Sequence, residues 1–190
     1  CRSRYSASST SIATDGRTSV AADSLMTWGS ERHFGHDKLR SVVSAKGVRA
    51  VLAVSGSGAV VDALAQWWCD GAKPDAAPKL GGDNAWTMLA VTAGGLAVYT
   101  DKVPYALAVS APFALGAGRD YAMGAMKQGA SPRRAVEIAC ELDVCSGGDI
   151  RVKDLAVELG LAPPERRTES TFDPVKKKNI VRMKKLEAAE

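Results

Sequence analysis

The chain is poor in the residues that most enzymes use for acid–base or metal chemistry. It has two histidines, His33 and His36, both in one polar stretch with no separate metal-ligand cluster beside them. They offer no catalytic triad and are expected to be solvated loop side chains. The four cysteines, Cys1, Cys69, Cys140 and Cys145, show neither CxxC nor Cys/His spacing, which argues against a zinc site and against a disulfide framework. Cys69 and Cys140 fall in apolar helical patterns and are expected to be buried free thiols, pointing to a reducing compartment, the cytoplasm. No GxSxG, phosphate-binding loop or dinucleotide fingerprint occurs, so neither a metal nor an organic cofactor is expected. No apolar run approaches the roughly 20 residues that span a bilayer, and "CRSRYSASS" lacks the apolar core of a signal peptide. A soluble, unexported protein without membrane contact is the expectation.

What is present is enough apolar sequence for one core. The 190 residues are 46% hydrophobic, in the range of one domain that needs no disulfide or metal. The net charge is +4, and Glu165 to Glu190 hold eight Lys/Arg against five Asp/Glu. The excess therefore sits in the tail, and a nearly neutral body argues against nucleic-acid binding. Three segments follow: an apolar-poor arm or propeptide-like extension over 1–9, a globular domain over 10–155, and a basic extension over 156–190.

Within the domain, "TSIAT" and "RTSVAADS" alternate as strands around Asp15-Gly16, a strong hairpin signal. Residues 39–44 and 48–55 predict a second hairpin around Lys46-Gly47. An apolar helix is expected from about Ala59 to Asp70, with Val60, Val61, Leu64, Trp67 and Trp68 on one face. "AWTMLAVTA", "GLAVYTD" and "PFALGAG" predict further strands. "RDYAMGAMKQG" and "PRRAVEIACELD" predict two helices, with Ser131-Pro132 as N-cap and first turn of the latter. "VCSGGDIRV" reads as a turn and a strand, "VKDLAVELG" as strand or short helix, and "VKKKNIVRMKKLEAAE" as a terminal helix. Strands and helices in this order give an α+β domain of antiparallel sheets with helices packed outside.

With no histidine-based nucleophile, a threonine activated by its own α-amine becomes the alternative. Such a base has an unperturbed pKa of about 8. It requires a buried lysine nearby, carboxylates to hold the lysine, and backbone N–H groups as an oxyanion hole. In this light "TSIA", "VAADS", "HDKLRSV", "AVSGSGAVVDAL", "ALGAGRDYAMGAM" and "ELDVCSGGDIRV" together, in order and spacing, resemble the proteasome β-subunit and HslV family of N-terminal-nucleophile (Ntn) hydrolases, especially short HslV-like phage proteins. The resemblance spans about residues 10–152. It implies a four-layer αββα sandwich and a threonine peptidase. Thr10 would be the nucleophile, Asp23 the carboxylate for Lys38, the Gly56 N–H the oxyanion donor, and Asp143 and Ser146 neighbours of the nucleophile. It also implies homo-oligomeric rings, peptide or unfolded-protein substrates, and an unfoldase ATPase partner.

The match departs from the family pattern at Ala117, where serine is usual, and in the nine residues ahead of Thr10. Removal of that segment is expected for an active site, because an acylated Thr10 nitrogen is no base. Cys1 is a rival N-terminal nucleophile. The alternative function is a non-catalytic structural or assembly subunit, for example of a phage particle and then located in the virion, with the basic tail gripping a neighbour.

Overall fold

A computed structural model describes residues 11–28, 31–56, 60–79 and 85–161. Thr10, the arm over 1–9 and the expected terminal helix of the basic extension lie outside the described residues.

Two antiparallel sheets form the centre. The first contains β1 (Ser11–Thr14), β2 (Ser19–Ala22), β10 (Phe113–Gly116) and β11 (Arg151–Asp154) in the order β10-β1-β2-β11. The second contains β5 (Leu39–Val43), β6 (Arg49–Gly56), β7 (Trp86–Thr92), β8 (Gly95–Thr100) and β9 (Leu107–Val109) in sequence order. A short hairpin, β3 (Met26–Trp28) with β4 (Glu31–His33), stands apart. The Asp15-Gly16 turn between β1 and β2 forms as its chemistry dictates: Asp15 Oδ1 accepts from the N–H groups of Arg17 and Thr18 at 2.9 and 2.8 Å, and Gly16 takes φ 69°.

The period-2 pattern sorts side chains into layers. Ile12, Val20 and Ala22 of one sheet meet Leu39, Val51, Ala53, Leu89 and Val91 of the other, all buried between the sheets. The opposite face of the five-stranded sheet packs on α1 (Val61–Cys69) through Leu52, Val54, Met88, Leu64 and Trp67. Trp67 meets Trp86 and Tyr99 edge-on at 5.8 and 5.5 Å, and both indole N–H groups are satisfied by the carbonyls of Lys73 and Pro78. The outer face of the four-stranded sheet carries Ala13, Ala21 and Ala114, small side chains against which α2 (Arg119–Lys127) and α3 (Pro132–Leu142) lie. The layers are thus α2/α3, sheet, sheet, α1: a four-layer αββα sandwich of the α+β class.

Ser131 caps α3 as its sequence signal indicates, accepting from Arg134 N–H at 3.3 Å with Pro132 in the first turn. "VKDLAVELG" resolves into both alternatives, β11 ending at Asp154 and α4 (Leu155–Glu158) beginning there. Asp154 accepts from the N–H groups of Ala156 and Val157 and so switches strand to helix. Leu155 and Leu159 enter the inter-sheet core.

Three expectations are corrected. The hairpin β3–β4 was not legible, because every residue of β4 is exposed and shows no apolar alternation; His33 accordingly lies in a strand, within 3.3 Å of Glu31. His36 is only partly exposed, with a buried Nε2 that has no hydrogen-bond partner. Cys69 and Cys140 are free thiols but half-buried rather than buried, since each lies at the rim of a helix–sheet contact.

Candidate active site

The strand directions bring several chain segments to one end of the sandwich. Ser11 begins β1, and Asp23 follows the end of antiparallel β2. The Asp23 N–H donates to Ser11 O at 3.0 Å, extending that ladder. Gly116 pairs with Ser11 at the end of β10, and Ala22 pairs with Arg151 at the start of β11, so residues 116–118 and 143–148 arrive at the same edge. In the second sheet Lys38 precedes β5 and its carbonyl accepts from Val54 N–H at 3.0 Å. Gly56 ends β6 two residues further on.

Asp23 is fully buried and its carboxylate is saturated with donors. Oδ1 accepts from Lys38 Nζ at 2.7 Å and from Ser11 N–H at 2.8 Å; Oδ2 accepts from Gly147 N–H at 2.9 Å. Lys38, 3% exposed, also donates to Leu25 O at 2.6 Å. Burial pushes the Lys38 ammonium below its usual range, with the charge and hydrogen bond of Asp23 pulling the other way. The result is an oriented cation in a dry setting.

Asp143 ends α3, where its N–H donates to Ala139 O at 2.8 Å and its side chain turns back over the following turn. Oδ1 accepts from Cys145 N–H at 3.2 Å and Oδ2 from Ser146 Oγ at 2.5 Å. Ser146 Oγ lies 2.7 Å from Ser11 Oγ. Asp23, Lys38, Asp143 and Ser146 therefore belong to one connected polar network, joined through Ser11 and Gly147. Residue 10 is covalently bonded to the Ser11 nitrogen that this network holds. Ala117 is exposed and brings no hydroxyl to it.

Gly56 takes φ +138°, and a Cβ there would stand 2.6 Å from Ala85 O and 3.0 Å from Trp86 Cα. Glycine is required for both backbone and space. Gly56→Ala is expected to destabilise the protein by about 1–3 kcal/mol, read as a lower denaturation midpoint in urea; a midpoint equal to that of the unsubstituted chain would contradict this.

Sequence reasoning missed Ser11, Gly118, the Leu25 carbonyl and Arg32, whose Nη2 reaches Ser146 O at 3.5 Å while its guanidinium lies 5.5 Å from the Phe34 ring centre. Backbone acceptors and a side chain on an illegible hairpin leave no motif. Cys140 also faces this region. Burial, and then the Asp23 charge, push its thiol up to about 11 from 9.0. Alkylation of Cys140 by iodoacetamide at pH 8 is accordingly expected to be slower than that of a free thiol and to accelerate until about pH 11; a rate already level by pH 9 would contradict this.

No protein-family description matches the chain, and no curated protein is similar enough to match. Solved structures do match. The bacterial proteasome homologue BPH of Thiobacillus denitrificans, in complex with epoxomicin, superimposes with a TM-score of 0.56 at 20% identity, covering 81% of this chain and 99% of that one. Eukaryotic HslV from Trypanosoma brucei gives 0.56 at 17% identity over 76% and 98% of the two chains. Anbu, the ancestral β-subunit from Yersinia bercovieri, gives 0.52 at 11% identity over 95% and 97%. The chain has the fold of the proteasome-like Ntn hydrolases.

Proposed function

We propose that the protein is a threonine peptidase of the N-terminal-nucleophile type, with Thr10 exposed by cleavage of the Ser9–Thr10 bond. The observation that carries this reading is the buried Lys38–Asp23 pair bonded to the Ser11 N–H, one covalent bond from the Thr10 carbonyl carbon. A buried pair is weak evidence for function by itself. Here, however, it shares its carboxylate with the backbone on which the expected nucleophile is mounted.

The chemistry follows from the charges. The Thr10 Oγ attacks the scissile carbonyl carbon while the free Thr10 α-amine takes its proton. The Lys38 ammonium disfavours a second cation beside it, keeping the amine neutral and basic, and it stabilises developing alkoxide. The oxyanion of the tetrahedral intermediate is held by the Gly56 N–H. Collapse breaks the C–N bond and the leaving amine takes the proton from the α-ammonium. The remaining Thr10 ester is hydrolysed by water with the amine again as base, returning a carboxylate and free threonine.

Extended peptides or unfolded proteins are the substrates in this reading; homo-oligomeric rings, with which the fold resemblance is consistent, and an unfoldase ATPase partner belong to the same proposal. The T. denitrificans relative binds epoxomicin, and a peptide epoxyketone, which bonds to both hydroxyl and amine of an N-terminal threonine, tests the site directly. One adduct per chain, mapped to a peptide beginning at Thr10, is expected. An unmodified chain after prolonged incubation would overturn the reading. It would favour the structural-subunit alternative, which the nine residues preceding Thr10 and the alanine at 117 support.

A further inference from the structure

Among the described residues two buried side-chain atoms have no hydrogen-bond partner, Ser24 Oγ and His36 Nε2, and only the second belongs to a group that titrates. His36 lies in residues 34–38, the irregular segment between β4 and β5 that carries Lys38 into the interior. The segment turns at Gly35, whose φ of 86° and open surroundings leave the backbone free to pivot. Its inner side is fastened by the His36 N–H, which donates to Ser24 O at 3.1 Å, and by Lys38 Nζ on Asp23 and Leu25 O. Ser24 directly follows Asp23, so the backbone bond and the ion pair join the same two stretches of chain.

The charges around the imidazole are Asp37 and Lys38 of its own segment, Arg40 of β5 and Asp62 of α1. Both carboxylates are already engaged. Asp62 Oδ1 accepts from Arg40 Nε at 2.8 Å; Asp37 Oδ1 accepts from Leu39 N–H at 3.0 Å, and its Oδ2 stands 3.7 Å from Arg40 Nη1. A neutral imidazole fits this setting, because its proton can stay on Nδ1 while Nε2 remains a bare lone pair. An imidazolium has to place an N–H at Nε2, where no acceptor meets it and Lys38 and Arg40 add like charge. Burial first, and then those two cations, accordingly hold the His36 pKa below its ordinary 6.5, with Asp37 and Asp62 opposing.

We infer that His36 is an acid-sensitive latch on the segment that carries Lys38: neutral, it closes residues 34–38 over the Lys38–Asp23 pair, and protonated, it swings outward about Gly35 and lets water reach that pair. The opened imidazolium gains solvent, toward which Asp62 already points with its side chain 83% exposed. Between the folded pKa and 6.5 the opened chain binds more protons than the closed one. The closed form therefore loses stability as pH falls through that window and loses no more below it. The latch acts on the ion pair itself and holds whether or not Thr10 is freed, so it goes beyond the peptidase reading.

Histidine titration and amide hydrogen exchange followed by NMR from pH 5 to 7.5 test this on the full chain, in the parent, His36→Gln, His36→Phe and His33→Gln. One imidazole of the parent is expected to titrate below 6.5 and to be the resonance missing from His36→Gln. After correction for intrinsic exchange, opening at the His36 amide and at the Gly147 amide, which donates to Asp23, should increase by up to about tenfold per pH unit below 6.5. Leu89, fully buried in β7, should keep its protection. Neither His36 variant has a charge to gain, so both should show no acid response, whereas His33→Gln, which removes an exposed imidazole, should match the parent.

The inference is overturned if His36 titrates at or above 6.5, if its amide is equally protected at pH 5 and pH 7, or if the His36 variants keep the acid response. Loss of Leu89 protection in step with His36 would mark global unfolding and overturn it as well. Should a His36 variant not fold, the two parent measurements decide alone.

Discussion

Replacing Lys38 with alanine is expected to cost about 3–5 kcal/mol of stability and to abolish measurable peptide hydrolysis. Asp23 is the reason for the first effect. Its carboxylate is fully buried and accepts from Lys38, Ser11 and Gly147, so loss of the lysine strands a negative charge in the interior. An apolar double replacement, Lys38→Met with Asp23→Leu, is expected not to recover stability as an isolated ion pair would. It leaves the Ser11 and Gly147 N–H groups without their acceptor, at about 1–3 kcal/mol each. Urea denaturation of the two variants separates the cases: a double variant as stable as the parent would show that the backbone bonds contribute nothing.

The pH dependence of this pair has a defined sign. Burial lowers the Lys38 pKa in the folded protein relative to 10.5. In the alkaline window between the folded value and the ordinary lysine value, the unfolded chain binds more protons. The contribution of this group to stability therefore rises with pH across that window. Lys38→Met, which carries no titrating group, is expected to lose that rise.

Thr10→Ala is expected to reduce hydrolysis by about 10³-fold or more while leaving the denaturation midpoint of the folded body unchanged. This separates it from Lys38→Ala, in which activity and stability fall together. Residual hydrolysis above one-tenth of the parent rate in Thr10→Ala would exclude Thr10 as nucleophile.

Much of the architecture was legible because its local chemistry is unambiguous. The Asp15-Gly16 turn supplies its own acceptor for the following N–H groups, and Ser131-Pro132 starts α3 where capping rules place it. The layers follow from alternation: Ile12, Val20 and Ala22 face one way, Ala13 and Ala21 the other. Strand β9 was not legible, since Leu107 is exposed and the stretch carries no alternation to separate it from a loop. At the site, Asp23, Lys38 and Asp143 were legible through the family resemblance of the segments that carry them. Ser11 was not, because a serine inside "TSIA" reads as an ordinary strand residue. Only the convergence of β1, β10 and the turn after α3 places its hydroxyl against Ser146, in space that a Cβ on Gly118 would fill. Sequence spacing encodes such meetings weakly, as they depend on strand direction and on the absence of a methyl group on another element.

In the working peptidase Thr10 carries a free amine, and intact-mass analysis of the freshly purified full chain, assayed in parallel for peptide hydrolysis, tests this most directly. The expected result is a chain cleaved at the Ser9–Thr10 bond that hydrolyses peptides and loses both hydrolysis and processing on Lys38→Ala. A chain that hydrolyses peptides with the Ser9–Thr10 bond intact would contradict it.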